Sequence, residues 1–269
     1  MERMARRAVI VAVLVVAGLA VVSANAAPAV DSAIIKTRIF NDDPDSILTT
    51  NNNYPASILI KDEKVDGPGG WANRHNFRLS ENGGVSDAVF MNDHQFSLFA
   101  DVTITGPAPI EGGLNLSPWW SKDVDGVFML NAGSGEIACF GGRLPFYSFT
   151  ANHAVTYTTG ETVRQGIIYT PNSLTEEDPA TIEYVLIQSG NTYSSGPLGF
   201  DMGNPGEDPP YGLWGCLNDA RLGGFMQIQV QDGNPDNWGQ IEFGNIVYVP
   251  EPAALALLAL GGLAMLRRR

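Results

Sequence analysis

The feature that most constrains this chain is a two-residue hydrophobic period that recurs in short segments. Across 95–105 the even positions Phe96, Leu98, Ala100, Val102 and Ile104 are apolar while most odd positions are polar, the pattern of a strand with one buried face. Met226, Ile228 and Val230 alternate with Gln227, Gln229 and Gln231, and Ile241 and Phe243 alternate with Gln240 and Glu242 ahead of an extended run at 246–249. Less regular apolar runs cover 34–40, 57–60, 126–130, 135–140, 144–150, 155–158, 163–169 and 181–188. Glycine and proline, 30 and 17 of 269 residues, interrupt nearly every stretch long enough for a helix and supply the turns between runs. The expected fold is all-β: an antiparallel β-sandwich and, among sandwiches, a jelly roll.

Charge narrows the partners. The whole chain carries a net charge of -13, but Arg3, Arg6, Arg7, Arg267, Arg268 and Arg269 sit at its two ends. Residues 27–249 hold 27 acidic against 10 basic side chains. Such a body lacks the broad positive field that a nucleic acid or an anionic lipid surface requires. A cation or a glycan remains compatible with it.

Both ends read as addresses. Three arginines, an apolar run at 8–22, and Ala24 and Ala26 in the small-residue places of a cleavage site make 1–26 a secretory signal peptide, which implies the Sec translocon as a partner. At the other end, 253–266 are uncharged and mostly apolar and run into Arg267, Arg268 and Arg269. A helix of that length spans about 21 Å, short of a hydrocarbon core of roughly 30 Å, so it is a marginal and transient transmembrane segment with its arginines on the cytoplasmic side.

Pro250, Glu251 and Pro252, followed directly by that apolar run and the arginine cluster, resemble the PEP-CTERM sorting signal of Gram-negative bacteria. The resemblance implies recognition in the membrane by an exosortase, removal of the tail, and delivery to the cell surface or an extracellular polysaccharide matrix. It covers only 249–269 and gives an address, not an activity. The expected organisation is a signal peptide at 1–26, one sandwich domain at 27–249 and a sorting segment at 250–269. Over 71–249 the strand pattern, with its late W-G-Q-I-E-F-G-N-I-V-Y segment, also resembles the concanavalin-like lectin and glucanase jelly rolls at the level of fold. The closely spaced catalytic acids of the glucanases, E-x-D-x-x-E, do not occur.

Few residues point to chemistry. Cys139 and Cys216 form an even number in an exported body, which favours a disulfide between them. Asp232, Asn234 and Asp236 alternate in D-G-N-P-D and could direct three oxygens at Ca2+, although no EF-hand loop is completed. Tyr211, Trp214 and Trp238 stand among Gly, Pro and Asp, where an aromatic face could stack on a sugar ring. No nucleophile elbow, phosphate loop or zinc-protease motif is present. The leading expectation is a non-enzymatic surface or matrix protein with a structural or adhesive role. A lectin-like carbohydrate-binding module and a secreted polysaccharide hydrolase are the alternatives.

Overall fold

The alternating segments pair into two antiparallel sheets. The computed structural model describes residues 27–250 except 122, 210 and 217. In chain order the strands are β1 (Ser32–Asn41), β2 (Ile47–Asn53), β3 (Ser57–Glu63), β4 (Ala72–Glu81), β5 (Ser86–Asp87) and β6 (Phe90–Met91). Next come β7 (Phe96–Thr105), β8 (Ile110–Ser117), β9 (Val127–Asn131), β10 (Ile137–Phe140), β11 (Tyr147–Ser148) and β12 (Thr162–Thr170). The last are β13 (Thr181–Gln188), β14 (Asn191–Ser194), β15 (Leu198–Gly199), β16 (Asn218–Gln229) and β17 (Trp238–Pro250). A single short α-helix among the described residues, α1 (Phe149–His153), is capped by the Ser148 hydroxyl, which accepts from the Ala151 N–H.

The first sheet runs β1-β4-β16-β8-β9-β10-β11 and the second β14-β13-β12-β7-β17-β3-β2. The chain crosses between the sheets repeatedly, so that β4 and β16 meet in the first and β7 and β17 in the second. This is the expected jelly-roll sandwich. The even positions of β7 are fully buried, as their period requires, and pack with Ile58, Ile60, Phe77, Ile167, Tyr184 and Phe243 between the sheets. Two of the apolar runs do not become strands along their length: 155–158 lies outside any strand, and 144–150 contributes only β11 before the chain turns into α1.

A polar cluster is enclosed beside this core. On β4, Asn73 and His75 point inward with Phe77 and Leu79 and meet Asp62 of β3. Asp62 Oδ2 accepts from Asn73 Nδ2 at 2.8 Å and lies 3.1 Å from His75 Nε2. The Arg38 main-chain N–H donates to His75 Nδ1 at 3.0 Å, which leaves Nε2 as the protonated nitrogen that donates to Asp62. Burial by itself would raise the Asp62 carboxyl, but hydrogen bonds from His75, Asn73 and Ser46 hold it below its ordinary 3.8.

Cys139 and Cys216 are both free thiols, which corrects the expected disulfide. Cys139 is on β10 and Cys216 on the segment before β16; both are enclosed in the main core, where burial pushes each thiol well up. An even count cannot reveal this, since pairing depends on Cβ placement. A thiol reagent applied without reductant is expected to label neither cysteine in the folded protein and both after unfolding. Absence of label after unfolding would restore the disulfide.

The signal-peptide residues Ala24 and Ala26, the tail residues Glu251, Pro252, Arg267, Arg268 and Arg269, and the apolar run at 253–266 lie outside the described residues. Among the described residues, no helix is long and apolar enough to cross a membrane. Pro250 is described: it is the last residue of β17, opposite Phe96.

Candidate functional site

On a strand, residues two apart share a face, and β4 therefore carries Arg74, Asn76 and Arg78 on the side of the first sheet away from the core. That outer face is not an ordinary solvated surface, because Asn76, Arg78, Asn115 and Phe225 are all almost completely buried on it. A second, smaller apolar cluster of Val127, Met129, Ala138 and Phe225 packs there, separate from the main core. Outside it lies a cleft of about 250 Å³, lined by Trp71, Arg74, Glu111, Phe140, Phe225 and Gln227 among others. Trp71 and Phe140 are exposed at 59% and 39%, so two aromatic side chains stand open beside a buried guanidinium.

Arg74 is poorly satisfied for so buried a cation. Its side chain lies over the Phe225 ring, 4.4 Å from the centroid, a cation–π contact. Its Nε is 3.4 Å from Asn76 Oδ1 and its Nη1 is 3.5 Å from Gln227 Oε1, both long. Its Nη2 is buried with no hydrogen-bond partner among the described residues. Desolvation, and then repulsion from Arg78, bring its pKa down to about 9. Glu111, which accepts from Asn131 Nδ2 at 3.1 Å, is raised by desolvation against the pull of Arg74.

The other cations on this face are engaged. Asp87 accepts from Lys36 Nζ and lies 3.4 Å from Arg221 Nε. Arg78 donates to Asn115 Oδ1 and lies beneath the segment that follows β8. In that segment the turn Trp119–Ser121 buries none of its residues, and beyond it the Asp123 carbonyl accepts from Asn76 Nδ2 at 2.7 Å.

A larger cavity of about 360 Å³ lies elsewhere, lined by Arg143, Phe146, Asp201, Asn204 and Asp208 among others. There Arg143 Nη2 donates to the main-chain carbonyls of Asp201 and Leu213, so the guanidinium staples the 201–213 loop. Its remaining lining is mainly glycine and apolar residues with Asp201, Asn204 and Asp208, and no ligand chemistry converges in it as it does on Arg74.

The aromatic candidates named from sequence do not line the cleft. Tyr211 is exposed on the 201–216 loop and donates its hydroxyl to Met202 Sδ at 2.6 Å; Trp214 is half-buried on the same loop. Trp238 opens β17 on the second sheet, with Lys61 Nζ 5.3 Å from its ring centroid. Asp232, Asn234 and Asp236 form the turn between β16 and β17. There Asn234 Nδ2 donates to Gln231 Oε1 and its Oδ1 accepts from the Asp236 N–H, so this side chain builds the turn itself. Among the described residues, no three His, Cys, Asp or Glu side chains are grouped to hold a metal ion. The cleft residues Trp71, Arg74, Glu111, Phe140 and Gln227 carry no motif in sequence. The spacing of Arg74 and Arg78 was the available signal, and it needs β4 to be recognised as a strand.

No protein-family model and no curated protein matches this sequence. Among solved structures, an alginate lyase from Corynebacterium sp. is similar over 75% of this chain and 80% of its own, with 11% identity and a TM-score of 0.45. An alginate lyase from Klebsiella pneumoniae is similar over 74% and 82%, with 12% identity and a TM-score of 0.44. Arcelin-5, a lectin-like defense protein from Phaseolus vulgaris, is similar over 83% and 94%, with 10% identity and a TM-score of 0.38.

Proposed function

We propose that this chain is exported and sorted to the cell surface or extracellular matrix, and that it acts there as an adhesive module whose cleft on the first sheet binds a carboxylate-bearing saccharide. The export half rests on the signal-peptide pattern of 1–26 and on the order of Pro250, Glu251, Pro252, apolar run and arginines, with the Sec translocon and an exosortase as the partners it implies. The binding half rests on one observation: Arg74 is buried and desolvated and, among the described residues, has no ion pair and no partner for Nη2, with two exposed aromatic rings on the same cleft. A carboxylate supplies the acceptor geometry that a guanidinium fork lacks here, while sugar rings offer apolar faces to Trp71 and Phe140. The acidic body opposes a long polyanion at a distance, so recognition is confined to the cleft.

Calorimetric titration of the purified protein with an oligouronate and with its neutral hexose counterpart tests this. Heat is expected from the oligouronate only, and none from either sugar would sink the binding half. Affinity should rise on acidification. Desolvation raises the Glu111 carboxyl, so it takes up its proton on acidification and stops repelling the ligand's charge. The gain is about three- to tenfold, the scale of a one-unit coupling, and Glu111→Gln should flatten it. A hydrolase reading is favoured by Glu111 and Asp125 lining the same cleft; release of new reducing ends during the titration would select it over binding alone.

A further inference from the structure

We infer that the cleft on the first sheet selects saccharides that carry O-acetyl esters beside their carboxylates. The inference rests on the binding role assigned to Arg74 above and names the group that fills the rest of the cleft. Three observations carry it.

First, the strand register sets a polar row beside an apolar one. Arg74, Gln227 and Glu111 stand opposite one another on β4, β16 and β8. Two residues along, a rise of about 7 Å, the next row holds Phe225, Gly113 and Met129 on β16, β8 and β9. Val127 of β9, opposite Phe140 of β10, extends it. The Phe225 ring already lies against the Arg74 guanidinium, 4.4 Å from centroid to side chain, so the apolar floor begins where the carboxylate would be held.

Second, that floor has nothing to give a hydroxyl. Phe225, Met129 and Val127 line the cleft with carbon and sulfur only, and the strands that carry them pair their main chains with one another. A bare sugar hydroxyl laid there gives up its water and gains no partner. An acetyl methyl gives up nothing and buries apolar surface.

Third, a donor stands at the border of the two rows. Gln227 Oε1 faces Arg74 Nη1, and its Nε2 makes no hydrogen bond among the described residues. Gln227 is two residues from Phe225 on the same face of β16, so this donor lies where the polar row meets the floor. An ester carbonyl accepts from Nε2 while its methyl rests on Phe225 and Met129. Glu111 and Asp125, on the same cleft, stay as acceptors for the hydroxyls that carry no ester.

The test is calorimetric titration of the purified protein with an O-acetylated oligouronate and with the same preparation after saponification, which differs only in its esters. Burying one methyl is worth about fourfold in affinity, and a close-fitting pocket raises such discrimination to about tenfold. The acetylated chain should therefore bind about four- to tenfold more tightly. Val127→Thr exchanges a methyl for a hydroxyl at nearly unchanged volume and should bring the ratio of the two affinities toward one. Thermal unfolding verifies that this variant folds, and Val124→Thr, at a half-buried position on the cleft wall, takes its place if it does not. Equal affinities for the two chains, tighter binding of the saponified one, or an acetyl preference that the threonine variant leaves intact would overturn the inference while leaving Arg74 as a carboxylate site. Absence of heat from both chains would instead remove the binding role itself, and the inference with it.

Discussion

Arg74→Gln is expected to abolish measurable saccharide binding while leaving the melting temperature unchanged or slightly raised. Truncating one member of a buried, hydrogen-bonded charge pair costs roughly 2–5 kcal/mol, and 1.4 kcal/mol is tenfold, so the affinity loss is at least about thirtyfold. Glutamine keeps a donor near Asn76 and Gln227 but removes the fork that a carboxylate would bridge. The stability arm separates function from structure. Arg74 is desolvated, repelled by Arg78 and engaged by two long hydrogen bonds, so in the free protein it is an expense to the fold. A fall of many degrees in the melting temperature would identify it instead as a structural cation. Retained oligouronate affinity would remove it from the site.

Asp62→Ala should be the opposite case, severe for stability. The carboxylate accepts from Asn73 and His75 in a wholly enclosed setting, and its loss leaves both donors buried without their acceptor. Leaving a buried donor unsatisfied costs about 1–3 kcal/mol, and two of them lower the melting temperature of a domain this size by roughly 10 °C. The pH dependence follows from the direction of the Asp62 shift. Its folded carboxyl titrates below the ordinary 3.8, so its contribution is fully present above that value and is lost as pH falls through the lower folded one. The difference between the two proteins should therefore narrow only in strong acid.

How much of this was legible depended on which face a strand shows to water. β7 has an apolar inner face and a largely polar outer one, and its alternation was visible. β4 was invisible as a strand because both of its faces carry polar residues: Asn73 and His75 face Asp62 on the inside, while Arg74, Asn76 and Arg78 line the outside. β8 was hidden by Gly112 and Gly113 in its middle. These two strands carry Arg74, Arg78, Glu111 and Asn115, so the fold could be read while its most chemically active surface could not. The aromatic candidates failed to locate the cleft for a related reason. Tyr211, Trp214 and Trp238 stood out by their turn-rich surroundings, whereas Trp71 and Phe140 flank ordinary strand ends and are placed together only by the tertiary fold.

The place of β17 in the second sheet has a mechanical consequence. It lies between β7 and β3, paired with β3 across Trp238–Gly244 and with β7 as far as Pro250. A load applied at Pro250 therefore enters an interior strand. It must shear two antiparallel ladders together, whereas a strand at the border of the sheet could be peeled away one hydrogen bond at a time. That geometry sends such a force through a strand bonded on both sides.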